Sequence, residues 1–214
     1  MGATNCPETP RQKMIQMMYL VYTAMLALNV SAEILNAFVV VDDTLVTSTT
    51  NAMRQNSNDY NWFEAQKTLL GEAKIHDAYV NAKKLRTETN EMVKYIEQMR
   101  RDLIYAVDKD SLDEKGNPKT VATIKKKDNF DTPTDFMINN GNAKKLKERI
   151  KQYKTNILKL VKESDRKGME AAIGLDVDSK FKSQDGGELS WEDHNFDHII
   201  AAASVTLLNK LTGE

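Results

Sequence analysis

The sequence predicts an all-α protein, in which a single transmembrane helix continues into an antiparallel helical bundle. Three observations carry this expectation. The 214 residues include only four prolines and nine glycines among many Lys, Glu, Leu, Met and Ala, a composition that favours helices over a turn-rich sandwich. Residues 14–32 form a 19-residue run without a charge. Further along, apolar side chains recur in steps of three and four, the repeat of one helix face.

Composition also narrows the function. Thirty basic residues stand against 31 acidic ones, so no overall field draws nucleic acid to the chain. Cys6 is the single cysteine, which excludes an intramolecular disulfide and a multi-cysteine zinc site. No apolar segment precedes Cys6, so a lipoprotein reading fails as well.

The uncharged run, MIQMMYLVYTAMLALNVSA, nearly matches the ~20 residues that cross a hydrocarbon core ~30 Å thick. Arg11 and Lys13 flank its start, whereas Glu33, Asp42 and Asp43 follow it. Positive charge stays inside. The expected order is therefore a short cytoplasmic N-terminus at 1–13, a transmembrane helix at 14–32, and a periplasmic helical bundle domain at 33–214. A cleaved leader competes, because Val30-Ser31-Ala32 offers small residues to a peptidase. The run is longer than the ~7–15 apolar residues of such leaders, however, which favours an anchor.

Placed at ~100° per residue, Arg11, Tyr22, Asn29, Glu33 and Asn36 share one side of this helix, and Thr23, Ala27 and Ser31 cluster opposite. Tyr22, Asn29 and Glu33 make a candidate polar membrane face, because polar groups in a membrane usually meet protein or water rather than lipid. Thr23, Ala27 and Ser31 make a candidate packing face for a second copy, since small residues let two backbones approach. A plain anchor with its few polar groups near the two interfaces is the simpler alternative.

Past the membrane the stripe Ile34, Phe38, Val41, Leu45 and Ala52 predicts that the same helix runs on as a rod. A second helix is expected from near Asn61 to Val107, with Leu85, Thr89, Met92, Ile96, Met99, Leu103 and Ala106 on its buried face and Gly71 as its one internal breaker. Residues 108–141 read as a loop-rich insertion, from Gly116-Asn117-Pro118 to Asn139-Asn140-Gly141, with a small hairpin around 120–124. Leu146, Ile150, Tyr153, Ile157 and Leu160 restore the helical repeat, and Gly186-Gly187 marks a turn. The last helix starts at a capping-box-like Ser190 and Asp193, and Phe196, Ile200, Ala203, Leu207 and Leu211 form its stripe. Its close at residues 211–214, without a tail, reads as one end of something longer.

Candidate chemistry is sparse. His194 and His198, four apart beside Asp193 and Asp197, have a metal-compatible spacing, but without the glutamate of a metalloprotease motif two surface histidines are the better reading. Asp176-Val177-Asp178-Ser179 opens like a calcium loop, yet Phe181 and Gly187 stand where Gly and Glu are required. No phosphate cradle or serine elbow is present, so no enzyme, cofactor or metal is expected. Arg11, with Tyr19 and Tyr22 at the membrane entrance, is the set that suggests chemistry: a fixed charge able to attract and release a titrating carboxylate on another chain. The plainer alternative is a topology signal that snorkels to lipid headgroups.

Two runs of sequence carry a resemblance. Pro10-Arg11-Gln12-Lys13-Met14-Ile15, Met18-Tyr19-Leu20-Val21 and Ala24-Met25-Leu26-Ala27-Leu28-Asn29-Val30-Ser31 resemble the start of the PorM/GldM family, inner-membrane motor components of type IX secretion and gliding motility. Ser190-Trp191-Glu192 and the run from Ala202 to Leu211 are similar to the close of that family's first periplasmic domain, and Lys127-Asp128-Asn129 is a weaker match. The resemblance implies a homodimer whose membrane helices sit inside a ring of a PorL/GldL-like partner and are driven by protonmotive force. It further implies that Arg11 faces a membrane glutamate of that ring, with Tyr19 near it. Longer members carry further periplasmic domains toward the outer-membrane machinery, so this chain is expected to correspond to the membrane helix and first domain. From another class, a single-pass membrane sensor with a helical ligand-binding ectodomain is the alternative.

Overall fold

The computed structural model describes residues 9–28, 32–70, 72–111, 120–183 and 186–214. Eight helices are present among them, with one two-stranded ribbon. Helix α1, Pro10–Leu28, opens with proline at its first position, where the missing N–H is no loss. The Thr9 carbonyl accepts from the Gln12 and Lys13 amides at 2.9 and 3.1 Å. Helix α2 covers Ala32–Leu70 and α3 covers Glu72–Val107. Residues 29–31 and 71 lie outside the described residues, and with them the continuity of the expected rod and the breaker Gly71.

The expected break near Asn61 is corrected: α2 runs through it to Leu70, a helix of 39 residues or ~58 Å. Residues 53–60, rich in Asn, Ser and Asp, stay helical because α3 folds back along α2. The Tyr60 hydroxyl donates to the Ala82 carbonyl at 3.1 Å, and the Phe63 and Tyr79 rings stack at 6.2 Å. The two helices thus form an antiparallel hairpin. Helix α5, Asn142–Leu160, lies antiparallel on the other flank of α3, where Thr89 meets the Tyr153 hydroxyl at 3.0 Å and Asn156 donates to Glu88 at 3.1 Å. Its stripe is as the sequence predicts, with Leu146, Ile150 and Ile157 buried.

Helix α8, Ala201–Gly213, is the centre of the domain, packed between α2 and α3. Ala201, Ala202, Ser204, Val205, Thr206, Leu208, Asn209 and Leu211 are all buried, so most of its circumference is covered. The abundance of Ala, Ser and Thr permits this, since short side chains let two longer helices approach from both sides. The Thr206 hydroxyl donates to the Ala202 carbonyl at 2.8 Å. The buried Ser204 Oγ makes no hydrogen bond among the described residues. A buried hydroxyl without a partner costs about 1–3 kcal/mol, so Ser204→Ala should leave stability unchanged or raise it by about 1 kcal/mol. A loss of more than that in urea denaturation would show that the hydroxyl is satisfied after all.

The last helix is not continuous. Helix α7, Trp191–Phe196, starts at the expected cap, where the Asp193 amide donates to Ser190 Oγ at 3.1 Å. It then stops, and His198 takes a positive φ of 50°. The break is fixed from outside. Lys127 and Asn129 carbonyls accept from the Ala202 and Ala201 amides at 3.0 and 2.8 Å, and the His198 amide donates to Thr134 Oγ1 at 3.0 Å. These carbonyls satisfy helix-start donors that Ile200 has no side-chain oxygen to reach. Ala203 and Leu207 are consequently only half-buried, and Val205 and Leu208 take the core positions.

The insertion at 108–141 is more ordered than its composition suggests. A 3₁₀ turn, Val121–Thr123, replaces the expected hairpin, and Val121, Ile124 and Met137 enter the core. Helix α4, Asp131–Thr134, passes into a π-helical turn, Asp135–Asn139, closed by the Asn140 amide on the Asp135 carbonyl at 3.0 Å. Gly141 follows with φ 69°, a left-handed conformation that glycine adopts without strain, and α5 begins. The signal Gly116-Asn117-Pro118 lies outside the described residues. After α5 come α6, Arg166–Ala172, and the ribbon β1, Phe181–Lys182, with β2, Glu188–Leu189. Gly186, at φ 81°, turns between the strands.

Candidate functional site

Helix α1 stands apart from the core. Its apolar residues, including Met14, Met17, Leu20, Met25 and Leu26, are exposed on every side, with Tyr19 at 73%. A helix apolar all round needs an apolar environment, and the described chain supplies none. Thr23 does not disturb this surface, because its hydroxyl donates to the Tyr19 carbonyl at 2.7 Å. No helix among the described residues is long and apolar enough to cross a membrane. Helix α1 begins with the polar Arg11-Gln12-Lys13, and its described apolar part ends at Leu28. The last residues of the 14–32 run extend past it.

Arg11, Tyr19 and Tyr22 are exposed on α1, and Arg11 and Tyr19 are two turns or ~12 Å apart along it. The helix therefore places them in sequence along one rod without joining them. Glu33 is exposed in the first turn of α2, where a carboxylate favourably meets the positive end of the helix dipole. Asn29 and Ser31 lie outside the described residues, as does the side chain of Ala27. His194 and His198 do not share a helix, since α7 ends between them and the His194 ring stacks on Phe181 at 3.8 Å. Asp176 closes its own turn instead of opening a calcium loop, accepting from the Asp178 amide at 3.0 Å and from Ser179. No cluster of three metal-binding side chains occurs among the described residues.

The structure adds a polar junction. Asp42, 1% exposed, sits on the bundle side of α2 in line with Leu35, Phe38, Leu45 and Thr49. Asn209 Nδ2 of α8 donates to its Oδ1, and the Val121 amide of the insertion donates to its Oδ2 at 3.3 Å. Burial pushes the Asp42 carboxyl up; Asn209, Val121 and the Arg100 charge on α3 pull it the other way. Burial likewise lowers the Arg100 guanidinium, opposed by Glu97 and Asp42. Arg100 Nε has no hydrogen-bond partner among the described residues. One side chain thus meets α8 and the insertion directly and feels the charge of α3.

Read in sequence, Asp42 is only one of the charges beyond the apolar run. A signal was available: it stands in the apolar stripe 35, 38, 42, 45, 49, and Asn209 interrupts the apolar face of α8. A second tie, half-buried, joins α5 to α7, where Lys147 and Glu192 pair at 2.9 Å. Burial, the largest single influence, raises the Glu192 carboxyl, but the Lys147 hydrogen bond and charge together with its own backbone amide and Ser190 outweigh it, and the group is held below its ordinary value.

These features define a helical-bundle domain mounted on a bare apolar helix. The family model of the GldM N-terminal domain matches residues 33–214, and the chain belongs to the GldM family, a component of gliding motility and type IX secretion. No curated protein matches the chain.

Proposed function

We propose that this chain is a protonmotive-force-driven motor component of the type IX secretion and gliding machinery, carrying motion from the inner membrane into the periplasm. Residues 14–32 cross the membrane, with Arg11 and Lys13 on the cytoplasmic side. Two copies stand within a PorL/GldL-like ring, the Thr23, Ala27 and Ser31 faces together. Arg11 pairs with a ring carboxylate until a proton neutralises it, and the helix then passes to the next site. One charge crossing 100 mV releases about 2.3 kcal/mol, so a few protons supply a mechanical step.

The observation that carries this reading is the sequence of a bare apolar helix, a long helix, and a domain locked to that helix at Asp42. A rod held by a buried junction hands on displacement; a flexible tether would absorb it. The test is topological. A reporter fused after Leu211 should be active only in the periplasm, and Cys6 should be labelled only from the cytoplasm. Labelling of Cys6 from the periplasmic side, or its loss from the mature protein, overturns the arrangement.

A cleft of about 630 Å³ between α2 and α3 favours the second reading, a single-pass sensor with a ligand-binding ectodomain. Such a sensor would retain its function when Arg11 is neutralised, whereas the motor would not.

A further inference from the structure

Helix α2 carries a second face, opposite the bundle, that no other described element covers. Positions 37, 41, 44, 48, 51, 55, 58, 62, 65 and 69 follow one another in alternating steps of four and three, and all of them are exposed. Placed at ~100° per residue they lie within about 60° of one line, while Leu35, Phe38, Asp42 and Leu45 occupy the bundle side. None of these exposed positions is charged, in a chain with 30 basic and 31 acidic residues. Ala37, Val41, Trp62 and Leu69 are apolar, the last two 63% and 76% exposed, and Asn51, Gln55 and Asn58 set amides between them. Thr44 adds no unmet donor, because its hydroxyl donates to the Val40 carbonyl at 2.8 Å. Val40, Thr44, Thr47, Ser48 and Asn51 border a shallow groove on this face, with Asp43 at its edge.

We propose that this face pairs with the same face of a second copy, as a parallel, in-register two-stranded coiled coil. The alternation of four and three is the heptad repeat of such a seam, with 41, 48, 55, 62 and 69 at one kind of core position and 37, 44, 51, 58 and 65 at the other. Charge selects the occupant. Arg54 stands just before core position 55, and Asp59 stands just after core position 58, five residues on; both are exposed. In a parallel pair in register these two flanking positions meet across the seam. A two-fold axis makes the contact twice, from Arg54 of each copy to Asp59 of the other. Within the single chain Arg54 reaches only the Asn51 side-chain oxygen, at 3.4 Å. The amides of Asn51, Gln55 and Asn58 each carry donor and acceptor, so they can pair with their own counterparts, where a charge would be repelled by itself. Another segment, of this chain or of a different protein, has no need of a face that matches itself. Counted along the sequence, the same alternation extends back from Ala37 through Ile34 and Val30 to Ala27 and Thr23, the packing face expected on the membrane helix. The inference rests on the two-copy arrangement of the motor reading and deepens it: a seam with this many polar side chains is weak, and it needs the copies held together by their membrane helices.

The experiment uses the full chain in membranes of its own cells, with Cys6→Ser and one new cysteine at a time, oxidised with copper phenanthroline. Ser48→Cys, Asn51→Cys, Gln55→Cys and Asn58→Cys should each join two copies, about fivefold more than Asp43→Cys or Thr50→Cys, whose side chains leave the helix sideways and stand too far from their counterparts for a disulfide. Arg54→Glu or Asp59→Arg should each lower the Ser48→Cys product about threefold, and the two together should restore it, with circular-dichroism melting unchanged throughout. A product as strong at 43 and 50 overturns the proposal. So does a product at one core position alone, as an antiparallel crossing would give, or a double reversal that fails to restore the product. Thr23→Cys reports the membrane helices separately. A Thr23→Cys product without any at the four core positions overturns the α2 seam and leaves the two-copy reading standing, and absence of both sets overturns both.

Discussion

Replacing Asp42 by alanine is expected to destabilise the bundle by about 3–5 kcal/mol, the cost of removing one partner from a buried polar set. The substitution leaves Asn209 Nδ2 and the Val121 amide without their acceptor and Arg100 with Glu97 alone of its two counter-charges. Asp42→Asn should be far milder, within about 1 kcal/mol, because the shape is kept and the Asn209 amide can turn its oxygen to meet the new donor. Both variants also differ from the wild type in pH dependence. Burial raises the Asp42 carboxyl in the folded chain, so between the ordinary carboxylate value and the raised one the folded state binds more protons there than the unfolded state. That contribution is fully present below the ordinary carboxylate value and is lost as pH rises through the raised one. Asp42→Asn does not titrate there, so it should gain on the wild type as pH increases and lose the advantage in acid. Urea denaturation of the three proteins between acid and neutral pH checks this, and a small loss for Asp42→Ala would remove Asp42 as the junction of α2 with the domain.

Arg11→Ala should abolish secretion while membrane insertion and complex assembly persist, because Lys13 still supplies a positive-inside signal. On the proposed mechanism the guanidinium favours the ionised form of a ring carboxylate, and the attraction lapses when a proton arrives. Arg11→Lys keeps the charge but loses the planar fork, so function should be weakened instead of lost. Tyr19→Phe removes one hydroxyl and should act in the same direction and less strongly. Pull-down of the ring partner measured beside secretion separates the possibilities. Normal secretion with intact complexes reduces Arg11 to a topology signal, and loss of assembly makes it a structural contact.

The two residues differ in how visible they are. Arg11 stands beside an uncharged run, where a single charge is conspicuous, whereas Asp42 lies in a stretch whose periodicity gives the stripe Ile34, Phe38, Val41, Leu45 and Ala52. In the structure Phe38 and Leu45 of that stripe are half-buried, Ile34, Val41 and Ala52 are exposed, and Leu35 and Asp42 share the bundle side with the first two. Hydropathy assigns an aspartate outward because a lone buried charge is costly. The assignment reverses when an amide 167 residues away and a backbone N–H 79 residues away meet it.

By itself the sequence determined what depends on neighbours along the chain: helical character, the stripe of α5, the cap at Ser190, the turn at Gly186, and the motifs that place the chain in its family. Each arises from side chains within a few residues of one another, so local spacing suffices. Tertiary structure alone decided the uninterrupted course of α2 past Asn61, the break between α7 and α8, the burial of Asp42, and the entry of Val121 and Ile124 into the core. In each case a partner distant in sequence supplies the hydrogen bond or apolar contact that overrides local preference. The break before α8 shows the reason most directly, because carbonyls of Lys127 and Asn129 satisfy its first amides, and no nearby residue could have announced them.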